Sequence, residues 1–471
     1  MCYMILTGRN ATEEGHTLCA HNNDLQGHHA ALFEFLPTRH HERGSTIAVS
    51  EHLTLPQVPE TYACSILKVW RGYMEGDAVA VNEHQVAVAG GVDLGYDRSA
   101  EAEALDPLNP RGISGATRYI ALQRSRTARE CVEWIGRIYN ECGISYTCGV
   151  GIADTRESWY IEAGGGSCWL AVRVPDDAYM VQSNGYRIGV FDPSDTENVI
   201  CSPGLVERLQ RSSKARTKEG LDFAEAFGGR MRELKGIEYI NARRLWGALR
   251  RFNPASKFDP LSQKFPLFVR PERKLSVRDL MGALRDRFEG TEYDAFPAEG
   301  GFGRHRPIAV PSCVHSDVIE LRKGMPADVG AVLWGLLGSP HTSPYIPLHF
   351  GVEALPAPYM TASPEYDAHS AFWRFRTLTN LAMVNFRELF PGVAAEWQVL
   401  EEEAFALKSG LEEAALKAWE TDPGRARRML GLFADSLARR ALEIADILAE
   451  RLNTEIAQGM HRHFSHEELS W

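Results

Sequence analysis

Cys2 is the first residue that can do covalent chemistry, and its position matters as much as its type. The chain opens MCYMILTGRN, and a second residue as small as cysteine lets methionine aminopeptidase remove Met1. Cys2 then carries a thiol and a free α-amine together. A thiol with a pKa of ~8.5 is only a few per cent ionised at neutral pH, whereas an α-amine of pKa ~7.7–8.0 can accept its proton. One residue thereby supplies both nucleophile and general base. The stretch HNND, His21 to Asp24, adds a carboxylate that can hold the protonated amine. A small buried hydrophobe in an edge strand is the competing reading of Cys2.

Bringing these residues together requires a hairpin. Tyr3–Thr7 reads as a strand, GRNATEEG as a turn, and Thr17–Asn22 as the returning strand. A turn centred near residue 12 sets position 2 across from about position 22, in strands ~5 Å apart. Further strands are expected at Ala78–Ala89, Ser158–Glu162, Trp169–Val174, Tyr179–Gln182 and through residues 314–352. A helix is expected over Ala116–Tyr139, ending near Gly143. Residues 204–250 read as helical with a glycine break, and 252–312 as loop. From residue 366 three long amphipathic helices follow, with Pro391 and Pro423 at the joints. The expected organisation is a catalytic domain over residues 1–365 and a helical region over 366–471 packed on it, whose faces suit self-association into a homo-oligomer.

Bulk properties exclude several classes. Among 471 residues, 51 Lys and Arg stand against 62 Asp and Glu, a net charge of -11, which argues against nucleic-acid binding. No run approaches the ~20 apolar residues of a membrane span, and the start lacks a secretory signal. Nine scattered cysteines without a CxxC read as reduced thiols in the cytoplasm. No metal or cofactor is expected: there is no HExxH and no phosphate-binding glycine loop, and the C-terminal His461, His463 and His466 read as a solvated tail. His315 reads as a buried core histidine. GISGA, Gly112 to Ala116, fits the letters of a nucleophile elbow at Ser114, but no strand precedes it.

Cys2 followed by GRNAT and HNND resembles the opening of the dipeptidase A and secernin family of N-terminal-nucleophile (Ntn) hydrolases. Collinear blocks extend the resemblance over nearly the whole chain: DAVAVNEHQVAVAGG, WYIEAGGGSCWLAVRVPDDAYMVQSNGYRIG, RRLWGALRRFNPAS and VHSDVIELRKGMPADVGAVLWGLLGSPHTSPYIPLHFG among them. The resemblance implies an α+β fold, an αββα sandwich of two antiparallel sheets, and cleavage of dipeptides through a thioester on Cys2. It assigns Asp24 to orienting the amine and Asn184 to building the site and donating to the oxyanion. It also places Arg244, or its neighbour Arg243, near the site, with His21, Asn22 and Arg244 as substrate-binding positions. Two departures stand out. His21 occupies the place of a family arginine, and Val92 that of an oxyanion asparagine in the acylase cousins, so that donor must come from elsewhere. A non-catalytic secernin-like protein and an acyl-amide hydrolase of the penicillin V acylase or bile-salt hydrolase type remain as alternatives.

Overall fold

The apolar run after Cys2 forms β1 (Tyr3–Thr7), which is buried at every position. Continuous apolarity is what a strand covered on both faces requires. The computed structural model describes residues 2–71, 78–229, 238–297 and 303–463. Met1, His466 and the side chains of His461 and His463 lie outside the described residues.

In chain order the strands continue as β2 (Thr17–Asp24), β3 (Ala31–Leu36), β4 (Arg39–His40), β5 (Thr46–Ser50), β6 (Leu53–Pro56), β7 (Glu60–Thr61), β8 (Cys64–Val69), β9 (Ala78–Asn82) and β10 (Ala87–Asp93). Then come β11 (Cys148–Ala153), β12 (Ser158–Ala163), β13 (Trp169–Arg173), β14 (Tyr179–Gln182) and β15 (Val199–Cys201). The last three are β16 (Cys313–Leu321), β17 (Ala331–Leu337) and β18 (Ile346–His349).

A six-stranded sheet runs β14-β1-β2-β16-β17-β18, and an eight-stranded sheet runs β15-β13-β12-β11-β10-β9-β8-β3. Both are antiparallel throughout. They face each other where β1 and β2 meet β10 and β11. Gly151 makes the close approach workable: a Cβ there would lie 2.5 Å from the sulfur of Met4. Helices Ala116–Leu122 and Ala128–Cys142 cover the outer face of the larger sheet; Glu238–Phe252 and Val277–Leu284 cover the smaller one. The fold is therefore the expected αββα sandwich. The helices Ala371–Ala382, Phe386–Trp419 and Pro423–His463 pack together and against β17 and β18.

Several local expectations change. Ala78–Ala89 is two strands joined by a turn at Gln85, which takes φ 57. The single helix expected over Ala116–Tyr139 is two, because the Thr127 side chain accepts from Glu130 N and starts a new one. The helix Val277–Leu284, inside the expected loop region, is announced by a capping box of Ser276 and Asp279. Pro391 lies inside Phe386–Trp419 rather than at the joint. Ser114 sits on a surface turn with no strand leading into it, so it forms no elbow. No disulfide links the cysteines, and no helix among the described residues is long and apolar enough to cross a membrane.

Candidate active site

Cys2 begins β1, and the neighbouring strands end around it. The β1–β2 register pairs Tyr3 with Asn22, which sets Cys2 beside Asn23, one residue further than expected. A one-residue slip exchanges the faces of a strand. Asn23 accordingly meets the thiol: Cys2 Sγ donates to Asn23 Oδ1 at 3.5 Å. Asn22 points to the other face, where its Nδ2 donates to Leu284 O at 2.9 Å and Ile308 O at 3.3 Å. It ties β2 to the helical layer, and being fully buried it offers nothing to a substrate. On the other side, β14 pairs Gln182 with Met4, so continuing that register carries Asn184 alongside Cys2.

Arg244 binds these pieces together. Asn241 and Arg244 are three apart on the helix Glu238–Phe252 and share its inward face. Arg244 is fully buried; Nη1 donates to Cys2 O at 3.0 Å, and Nη2 to Asn184 Oδ1 and Asn241 Oδ1 at 2.7 Å each. Burial, and then the nearby Arg306, lowers its pKa to about 10, which leaves it charged at neutral pH. Arg243 turns elsewhere, with Nη1 2.6 Å from His305 Nδ1 and its guanidinium over Tyr293. Between the two arginines the sequence left open, Arg244 is the one at Cys2.

Asp24 stands 3.9 Å from Arg244 Nη1 and accepts from Arg306 Nη2 at 2.9 Å. With Arg244 Nη1 touching both Cys2 O and Asp24, the carboxylate and the start of the chain are close neighbours. Burial pushes the Asp24 carboxyl above the ordinary aspartate range, against the pull of the two arginines. Asn184 Nδ2 donates to Asp93 O at 2.9 Å, so at least one amide hydrogen serves the scaffold.

His21 lies between the sheets, 2% exposed, with Nε2 3.3 Å from Gly91 O. Gly90 adopts φ 75, and a Cβ there would come within 2.7 Å of the imidazole. Burial first, then the charges of His315 and Arg118, hold the His21 pKa well below its usual value. His21 is therefore neutral and walled off from a substrate, and does not replace an arginine's charge beside the thiol. Val92 is buried in β10 opposite Gly149, with no side-chain donor. Sequence reasoning missed Asn23, Asn241 and Arg306. Asn23 was within reach, since only the register separated it from Asn22; Arg306 lies in a loop with no spacing signal. A cavity of about 860 Å³ opens next to this cluster, lined by Ser183, Gly185, Asn241 and Leu245 among others, but not by Cys2, which is 7% exposed.

Residues 1–398 match the sequence model of Peptidase family C69. A protein named "Probable dipeptidase" from Salmonella dublin is 29% identical over 364 residues, 74% of this chain and 81% of that protein. "Probable dipeptidase B" from Lactococcus lactis is 27% identical over 82% of each chain, and "Dipeptidase A" from Lactobacillus helveticus is 24% identical, also over 82% of each. Among solved structures, a mutant conjugated bile acid hydrolase from Clostridium perfringens is similar with a TM-score of 0.38 and 15% identity, covering 74% of this chain and 92% of that one.

Proposed function

Given that the chain belongs to Peptidase family C69, we propose that it is a dipeptidase working as an N-terminal-nucleophile hydrolase on Cys2, after methionine aminopeptidase has removed Met1. The observation that carries this reading is the convergence on Cys2 of Asn23, Asn184, Arg244 and, through Arg244, Asp24. The relatives named as dipeptidases supply the substrate class.

The α-amine of Cys2 takes the thiol proton, and the sulfur forms a bond to the scissile carbonyl carbon. The tetrahedral intermediate carries a negative oxygen, to which Asn184 offers its remaining Nδ2 hydrogen; one such donor is typically worth ~10²–10³ in rate. The ammonium then passes its proton to the leaving nitrogen as the C–N bond breaks, leaving a thioester. Water, deprotonated by the same amine, attacks the thioester; the C–S bond breaks and the thiol is restored. Asp24, kept in place by Arg306, stabilises the ammonium that forms twice in each cycle. Arg244 holds the Cys2 carbonyl and thereby aims the thiol. Such a thiol needs a reducing compartment, the cytoplasm.

A dipeptide panel with intact-mass detection tests this. Wild-type protein should lack Met1 and gain the mass of the substrate's N-terminal acyl half on Cys2, and Cys2→Ala should show neither adduct nor turnover. Full turnover by Cys2→Ala, or by protein that retains Met1, would refute the mechanism.

A further inference from the structure

One pleat inward from Cys2, β2 and β16 set His21 opposite Asp317 and Asn23 opposite His315. His21, His315 and Asp317 lie on the inter-sheet face and are 2%, 0% and 0% exposed. Their donor atoms converge: His21 Nδ1 is 4.0 Å and His315 Nδ1 3.8 Å from Asp317 Oδ1, and one ring nitrogen of each histidine and one carboxylate oxygen lie within 4.8 Å of one another. These separations exceed any hydrogen bond. Among the described residues, neither Asp317 oxygen nor Nδ1 of His21 has a hydrogen-bond partner. An ionised carboxylate in that state would cost several kcal/mol, and among the described residues no cation pairs with it, so the group keeps its proton until a bound cation displaces it. Burial alone acts on Asp317, raising its pKa well above the usual range, while the charge of Arg118 bears on His21 instead.

We propose that His21, His315 and Asp317 bind one divalent transition-metal cation of the zinc or cobalt class, through the two Nδ1 atoms and both carboxylate oxygens. Imidazole donors favour these ions over magnesium or calcium. Two bonds of about 2.0–2.2 Å at a tetrahedral angle set donors roughly 3.4 Å apart. These donors, 3.8 and 4.0 Å apart across Asp317 and within 4.8 Å overall, therefore have to draw in by rotation of the two imidazoles when the ion binds. The outer contacts fit too, since a ligating histidine ordinarily donates its other ring N–H to a fixed acceptor. His21 Nε2 faces Gly91 O, and His315 Nε2 is 2.9 Å from the Asn23 side-chain amide. The other meeting of such groups among the described residues, Glu14, His16 and Glu320, differs: Glu320 already pairs with Lys408.

A consequence reaches the thiol, and it alone rests on the hydrolase reading. With Nδ1 of His315 on the metal, Nε2 carries the proton and Asn23 presents Oδ1 to it. The Nδ2 end of Asn23 then faces Cys2 and favours the thiolate.

The full chain, freed of metal by a chelator, should be titrated with cobalt chloride by visible spectroscopy and with zinc chloride by calorimetry. One equivalent of cobalt should bind with the spectrum of nitrogen and oxygen ligation. Asp317→Asn and His21→Gln remove ligands themselves and should each weaken binding by more than the roughly 10–100-fold that loss of an outer contact costs, while replacing His461, His463 and His466 with glutamine leaves it unchanged. Should Asp317→Asn fail to fold, His21→Gln decides. A wild-type protein that takes up no stoichiometric cobalt, or binding that follows the C-terminal histidines instead, overturns the proposal.

Discussion

Arg244 separates two accounts of the site, because a residue that holds the substrate and one that holds the nucleophile respond differently to substitution. Its guanidinium is fully buried and its two terminal nitrogens engage three acceptors, at 3.0 Å for Cys2 O and 2.7 Å for the oxygens of Asn184 and Asn241. Hydrogen bonds from a charged donor are each worth ~1.5–3 kcal/mol net, and removing one member of a buried charged set costs ~3–5 kcal/mol. Arg244→Met should therefore destabilise the fold by about 3–5 kcal/mol. Arg244→Lys keeps a charge near Asp24 but cannot reach Cys2 O and Asn184 from two separate nitrogens. If Arg244 aims the thiol, both variants lose kcat by at least ~10²-fold, the typical effect of a misplacement of about 1 Å, with KM nearly unchanged. Steady-state kinetics on a dipeptide, with denaturant unfolding of the same preparations, reads both effects. A rise in KM at constant kcat would instead make Arg244 a substrate-binding residue. Wild-type kcat in Arg244→Lys would show that the two-nitrogen fork is unnecessary.

Two further outcomes test the scaffold around the site. Gly90→Ala forces a side chain onto φ 75 and into the His21 ring; it should cost about 2–4 kcal/mol in denaturant unfolding. Gly15→Ala at φ 70, with nothing within 4 Å, should cost only about 1 kcal/mol, and equal losses would dismiss the contact with His21. His341 is buried among Phe296, Phe386 and Phe390, and its pKa is lowered to about 3, by burial first and then by Arg287. The unfolded chain takes up that proton near pH 6.5 and the folded one does not until far lower, so this contribution is intact above pH 6.5 and declines as the pH falls towards 3. Lowering the pH from 7 to 5 should cost ~2 kcal/mol through this residue, a share that His341→Phe removes; parallel stability profiles for the two proteins would refute it.

The β1–β2 hairpin was legible because turn residues separate two runs of strand character, and the three long C-terminal helices because their apolar stripes recur over many turns. The register of the hairpin was not. A strand buried on both faces has no polar alternation to mark its sides, so Asn22 and Asn23 are equivalent until the β16 and helical layers are placed. The choice between Arg243 and Arg244 was hidden for a similar reason: the helix that carries them is packed on one side by β14, and adjacent residues on a helix point ~100° apart. Arg306 reaches Asp24 across 282 residues of sequence, a contact that no local pattern encodes.

Asn23, Asp24, Asn184, Arg244, His315 and Asp317 are all at most 3% exposed, where burial rules would place apolar side chains. Each would be costly alone. Arg244 is tolerable because Asn184, Asn241 and the Cys2 carbonyl accept from it, and Asp24 because Arg306 donates to it. Satisfying one another is what lets these groups stay inside, and it also fixes the chain's first residues in a single arrangement. Asp317 breaks the pattern, since among the described residues its oxygens have no such partner. Burial keeps a proton on Asp317, whereas donors or opposite charges hold the ionised Asp24 and Arg244. A cation that displaces that proton would give this carboxylate the same kind of match, which is why the proposed site lies there rather than among the exposed acidic groups.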